Sequence, residues 1–328
     1  MTKFALRRGG VAVGLLLILL LVLFVLSHLS DSDPAAAYLG AKASPDQIAQ
    51  VRHRLGLDRP LLEQYFRYVG HAVQGDLGTS LRTRRGVAGD LWHFFPATLE
   101  LVFAAFVLAA LLGAGYAFSG ALRVRGTGPL RGVLLVFASA PAFLVGLLGI
   151  VLFYSELGWL PAAGRGADTS TPTGFMLLDS LLHADPGQFG AALRHLLLPA
   201  LTLAIAPAIA IGRILRSSIE TTLRADHVRT ARAKGVTEAG VLGRHVVRNA
   251  LGPALSMSGL QLGAMFAGVV VVEKIFSWPG IGSYLSDSIA SADFPAIAGV
   301  TLLLGAIYIV ANALVDVLQT VADPRLAL

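Results

Sequence analysis

HVRTARAKGVTEAGVLGRHVVRNALGP, residues 227–253, sets five Arg or Lys against a single Glu, between two segments that are almost wholly apolar. A basic, glycine-punctuated stretch in that setting reads as a short polar loop joining two membrane spans. Arg and Lys accumulate in such loops on the cytoplasmic side. The apolar flanks therefore decide the fold, and the rest of the chain is read outward from them.

The 328 residues are 55% hydrophobic and only 14% charged, with a mean hydropathy of +0.70. Soluble domains carry roughly a quarter charged residues, so this composition excludes one. The apolar residues come in long blocks, as in an all-α membrane protein. The net charge of +6 follows from basic loops rather than from nucleic-acid binding, because no aromatic stacking platform accompanies the basic residues. With no cysteine, the chain has no disulfide, Cys-ligated zinc or thiol nucleophile.

Crossing roughly 30 Å of hydrocarbon takes about 20 apolar residues. Six segments qualify: Gly9–Ser27, Ala97–Ser119, Val133–Tyr154, His195–Leu215, Pro253–Val272 and Pro295–Val315. Pro141, Pro199 and Pro207 lie in the third and fourth and are tolerable where neighbouring helices satisfy the freed carbonyls. The first segment has the basic start and late small residues of a signal peptide. Its apolar run is longer than a usual signal core, which argues for a retained helix.

Lys3, Arg7, Arg8, Arg123, Arg125 and Arg131, with eight Arg or Lys between Arg213 and Arg248, lie on one side of these spans. The third and fifth connections carry mainly acids, Glu273 among them. Both termini are therefore expected in the cytoplasm. The expected division is an N-terminal helix (1–27), an extracytoplasmic helical cap (28–96), a five-helix transmembrane domain (97–320) and a cytoplasmic tail (321–328).

In the cap, Ser44-Pro45-Asp46-Gln47 reads as a capping box, Gly56 as its helix stop and Asp58-Arg59-Pro60 as the next start. Leu61, Leu62, Tyr65, Phe66, Val69 and Val73 recur at helical spacing and suggest a packing face. Trp92, Phe94 and Phe95 resemble an interfacial aromatic belt.

Within the opening stretch, helix formers run from Arg216 to Lys234 and Gly235 can adopt the left-handed conformation that ends a helix. Thr237 is the next N-cap, with Glu238 in the first turn. A second helix then runs to about Leu251, before Gly252-Pro253 breaks it. Val228, Ala231, Val236, Val241, Leu242 and Val246 need burial. The small residues Thr230, Ala231 and Ala233 before the turn let another surface approach closely, which suggests docking of a cytoplasmic partner.

RTARAKG at 229–235, followed by RNALGP at 248–253, resembles the coupling loop of binding-protein-dependent ABC importer permeases of the dipeptide/oligopeptide/nickel branch. The general family loop begins Glu-Ala-Ala; here Arg229, Thr230 and Ala231 fill those places, a departure of the kind the peptide branch shows. The Leu-Pro found later in the general loop is absent. SDPAA at 32–36, LGLDRPL at 55–61, GDLGTS at 75–80, PATLE at 96–100, GWLPAAG at 158–164, HLLLPAL at 195–201, FSWPGIG at 276–282 and DPR at 323–325 extend the likeness over nearly the whole chain.

The resemblance implies a type I importer fold of six transmembrane helices in the bacterial inner membrane. It also implies a second permease, two ATPase subunits and an extracytoplasmic solute-binding protein. The ATPase-coupling residues would be Arg229, Thr230, Ala231, Ala233, Lys234, Gly235, Thr237 and Glu238. Phe276, Trp278, Pro279, Gly280, Ile281 and Gly282 would lie near the external gate and the binding-protein contacts. Read by their chemistry alone, Phe276 and Trp278 suit an interfacial anchor equally well.

The chain has no phosphate-binding GxxxxGK[ST] loop and no HExxH helix, so ATP and Mg would belong to partner subunits and no cofactor is expected here. Ser256-Met257-Ser258-Gly259 lacks the elbow and base of a serine hydrolase and suits helix packing. Two other classes remain: a proton-coupled carrier, disfavoured by span centres free of ionisable groups, and a non-transporting scaffold.

Overall fold

The computed structural model describes residues 2–29, 44–122, 124–166 and 172–322. The motifs at 32–36 and 323–325 lie outside them. Among the described residues the fold is helical throughout, with one isolated bridge between Thr79 and Gly86. In chain order the helices are α1 (Thr2–Leu29), α2 (Pro45–Leu55), α3 (Leu61–Val73), α4 (Val87–Ala121), α5 (Gly128–Ser139) and α6 (Ala142–Glu156). They continue with α7 (Met176–Leu182), α8 (Pro186–Leu223), α9 (Asp226–Ala233), α10 (Glu238–Ile275), α11 (Ile281–Ala290) and α12 (Phe294–Ala322).

Five of these, α1, α4, α8, α10 and α12, are long and apolar enough to cross a membrane. The third segment read from sequence is instead divided into α5 and α6. Pro141 forces Ala140 into an extended conformation (φ −83°, ψ 148°), where no helix can continue. The same residue type does not interrupt α8, which runs through Pro199 and Pro207, both of them buried. Packing decides between the two outcomes: α5 buries none of its residues, whereas α8 buries one face nearly end to end. The spans also outrun the bilayer. At 1.5 Å per residue the 38 residues of α8 reach about 57 Å.

The contacts divide the chain into two units. The first comprises Met1–Phe94 and Tyr284–Ile309. The expected capping box is present at α2: Ser44 Oγ accepts from Gln47 N at 3.3 Å, and Ser44 N donates to Gln47 Oε1 at 3.0 Å. Gly56 then closes α2 in the left-handed region (φ 70°). Further on, Ser80 Oγ and Arg82 N both donate to Asp293 Oδ2. Tyr284 Oη donates to Asp90 at 3.0 Å while Phe94 stacks on its ring at 5.1 Å. Burial, reinforced by the Asp90 carboxylate, pushes the Tyr284 phenol above its ordinary range. Of the expected aromatic belt, Trp92 is exposed and Phe94 is engaged in this cluster.

The second unit comprises Phe95–Ser283 and Val310–Leu328. Its centre is the packing of α8 on α10 and α4. Gly113 and Gly212 bring the α4 and α8 backbones into direct contact; a Cβ on Gly212 would stand 2.8 Å from the Gly113 carbonyl.

Candidate functional site

The opening stretch folds as an elbow. The expected helix over 216–234 is interrupted: α8 ends at Leu223, Ala225 is extended (ψ 149°), and α9 begins at Asp226 with its acid in the first turn. Gly235 sits at φ 77°, with its N–H bonded to Arg232 O at 2.9 Å and the Val236 N–H to Ala231 O at 3.2 Å. That pair of bonds is a Schellman C-cap. Thr237 then caps the next helix, its Oγ1 accepting from Gly240 N at 3.3 Å.

Gly252-Pro253 does not end that helix, contrary to expectation. After a π-helical stretch at Val241–Val247 the helix continues unbroken to Ile275. The reason is burial: Ala250 and Ala254 belong to the apolar core beneath the elbow and hold this turn in place. Val228, Ala231, Val241 and Val246 enter that core with Leu215, Ile219 and Ala117. Val236 alone among the predicted buried positions stays largely outside.

This division sorts the candidate coupling residues. Ala231 is buried against the protein's own core. Arg229, Thr230, Ala233, Lys234, Gly235, Thr237 and Glu238 are all exposed. The Arg232 guanidinium bridges the elbow to Glu238 by two bonds, of 2.8 and 3.1 Å. The pair is solvent-exposed and joins the two arms across the turn. The surface so formed is basic and small-featured. No group of three metal-ligating side chains occurs among the described residues.

The turn at 276–282 is folded into the protein rather than laid on its surface. Phe276, Trp278 and Ile281 are fully buried, which excludes an interfacial anchor and leaves only Pro279 of the six candidates exposed. Ser277 takes a positive φ (47°), turning the chain so that Trp278 N reaches Glu273 O at 2.8 Å. The indole Nε1 donates to Ala97 O at 2.9 Å, and Gly164 N donates to Phe276 O at 2.8 Å.

At the centre lies Glu273, assigned by sequence to an outer loop but located in the last turn of α10 with no exposure. Its Oε1 accepts from Thr98 Oγ1 at 2.6 Å and its Oε2 from Ser283 N at 2.9 Å. Thr98 Oγ1 in turn accepts from Ile281 N at 2.7 Å. Beside it Arg165 pairs with Glu100 and lies over the Trp278 ring, 5.4 Å from its centroid. Glu100 Oε1 also accepts from Leu177 N at 2.8 Å.

Three sequence motifs quoted separately, at 96–100, 158–164 and 276–282, thus converge with Glu273 and Arg165 on one buried polar knot. Thr98, Glu100, Arg165 and Glu273 are the residues that sequence reasoning missed. The available signal was a lone Glu seven residues before a Gly-Ile-Gly. Gly280 and Gly282 are required because Gly280 abuts the Glu273 carboxylate and a Cβ on Gly282 would stand 2.5 Å from Val270 Cα. Gly282→Ala is expected to cost about 1–3 kcal/mol by forcing two backbones apart. It would be seen as an earlier thermal unfolding midpoint of the purified subunit.

Comparison with known proteins agrees with this architecture. Residues 105–328 match the family described as binding-protein-dependent transport system inner membrane component. Residues 1–102 match the N-terminal region of such membrane components. The di/tripeptide transport system permease protein DppB of Pseudomonas aeruginosa is 43% identical over 333 residues, covering 99% of each chain. The probable D,D-dipeptide transport system permease protein DdpB of Escherichia coli is 42% identical over 93% of this chain and 92% of its own. The glutathione transport system permease protein GsiC of Salmonella paratyphi A is 38% identical over 99% of each. A multi-span helical subunit with an exposed basic elbow and no nucleotide site of its own is an importer permease, and the chain belongs to the family of binding-protein-dependent transport system inner membrane components.

Proposed function

We propose that this permease forms half of a translocation pathway for di- and oligopeptides or closely related small solutes. Both termini face the cytoplasm, and α5 with α6 serves as the third of six crossings. A second, non-identical permease encloses the pathway. Two cytoplasmic ATPase subunits, which hold the ATP and Mg, grip the elbow through Arg229, Thr230, Ala233, Lys234 and Gly235. An extracytoplasmic binding protein delivers the solute to the outer face, near Pro279. The division into helix 1–27, outer segment 28–96, transmembrane domain 97–320 and tail 321–328 follows from the same reading.

The observation that carries this proposal is the elbow itself. Apart from Val236 its apolar residues pack in an internal core, and its basic, small-residue face is exposed. The peptide class is supported by relatives whose names state di/tripeptide and D,D-dipeptide transport.

Movement follows from differential binding. ATPases that hold the two elbows closer in one nucleotide state than in the other bias the permease pair between inward- and outward-open forms. The test is uptake of a labelled dipeptide into vesicles holding the whole complex. Uptake is expected only with ATP, both ATPase subunits and the binding protein present. Accumulation by this permease pair without the ATPases, driven by a proton gradient, would overturn the proposal.

A further inference from the structure

The sequence gives α3 an apolar face; Tyr65 of that face packs on α1 and Val69 is half-buried, while the rest is exposed. Leu62, Phe66, Val69 and Val73, spaced four, three and four residues apart, form one stripe along the helix. Leu62 is 74% exposed, Phe66 68% and Val73 79%. Glu63, Arg67 and His71 occupy the opposite side. There Glu63 pairs with Arg59, Arg67 lies beside Gly56, and His71 meets Asp76 at 2.9 Å.

A third face is fastened to α1. Tyr65 Oη donates to Leu17 O at 3.1 Å, and Gln64 Oε1 lies 3.1 Å from His28 Nε2. The Phe24 ring meets Tyr65 at 5.5 Å and Tyr68 at 6.1 Å between their centroids. These contacts set the depth of α3. Phe24 precedes the end of α1 by five residues, about 7.5 Å at the helical rise, and the contacts extend on either side of it from His28 to Leu17. An amphipathic helix lying in a membrane interface buries its apolar side by about 5–10 Å.

We infer that α3 is an interfacial helix whose Leu62–Phe66–Val69–Val73 stripe inserts among the acyl chains of the leaflet that holds the C-terminal end of α1. The inference rests on α1 spanning the membrane, as the proposed function also requires. Lipid is the occupant because the stripe carries no charge and continues the exposed apolar surface that α1 presents at Leu21, Val22, Val25 and Leu26. Glu63, Arg67 and His71 then face water. Anchored on two sides, α3 becomes part of the membrane-bound frame rather than a free cap.

The absence of native cysteine makes a direct test possible. Single Leu62→Cys, Phe66→Cys, Val73→Cys, Glu63→Cys and Arg67→Cys variants of the complete importer, in lipid nanodiscs, are spin-labelled and probed by collision with oxygen and a water-soluble nickel chelate. Labels at 62, 66 and 73 are expected to favour oxygen several-fold over those at 63 and 67, which favour nickel. Nickel access at 66 equal to that at 63 would place the stripe in water and overturn the inference. Shielding of 66 from both reagents would mean that protein covers it, and would overturn it equally. Val22→Cys and Val25→Cys, labelled in parallel, report on α1. Loss of oxygen preference there would defeat the spanning helix itself, whereas its retention with a nickel-accessible 66 would defeat only the placement of α3.

Discussion

Replacing Glu273 with Ala is expected to lower the thermal midpoint of the purified permease by roughly 10 °C, corresponding to about 3–5 kcal/mol. The carboxylate is the shared acceptor for the Thr98 hydroxyl and the Ser283 amide. Its loss leaves both donors buried without a partner, at about 1–3 kcal/mol each, beside a new cavity. Glu273→Gln separates charge from connectivity. The Gln carbonyl can still accept from Ser283 N, while its amide can donate to Thr98 Oγ1, which already accepts from Ile281 N. Only the Thr98 proton is then stranded, so Gln should fall well short of Ala. A Gln variant as damaged as Ala would show that the negative charge itself, not the bonding pattern, holds the turn. An Ala variant of unchanged midpoint would remove Glu273 from the framework. Transport should follow stability in both, since the Glu273 side chain itself has no exposure.

How much of this was legible in sequence depends on how far apart the interacting residues lie. The elbow was readable because its signals are local. Gly235 supplies a left-handed C-cap and Thr237 an N-cap three residues ahead of its partner. The capping box at Ser44–Gln47 was readable for the same reason. Proline was ambiguous by the same local rules, because the bonds it removes matter only relative to packing. Pro141 ends a helix that buries nothing, while Pro253 is carried through by the burial of Ala250 and Ala254. The polar knot was out of reach. Thr98 and Glu273 are 175 residues apart, and nothing near either one names the other. Glu273 consequently counted as a loop acid, and Trp278 as a surface aromatic, when each is buried by the other's neighbourhood. The amphipathic pattern of α3 was readable at helical spacing, and Leu62, Phe66 and Val73 are exposed on one side of that helix.

Gly235→Val is expected to abolish ATP-driven uptake while leaving membrane insertion and subunit assembly intact. The backbone at 235 has φ 77°, a region a β-branched residue enters at a cost of about 1–3 kcal/mol. Escape from that cost means unwinding the Schellman cap, which swings α9 relative to the arm beginning at Glu238. The core beneath is anchored by Val228 and Val241 on either side, so the permease survives with a misdirected elbow. Gly235→Asn makes the experiment decisive about mechanism. Asparagine tolerates the left-handed region, and within this subunit a Cβ at 235 meets nothing inside 4 Å. If Asn restores uptake, the glycine serves only to set the bend. If Asn keeps the fold and still fails to transport, the obstruction lies outside this chain, where the ATPase surface approaches the bare turn. Full uptake by both variants, measured in the same vesicles, would remove the elbow from the path by which ATP hydrolysis reaches the membrane.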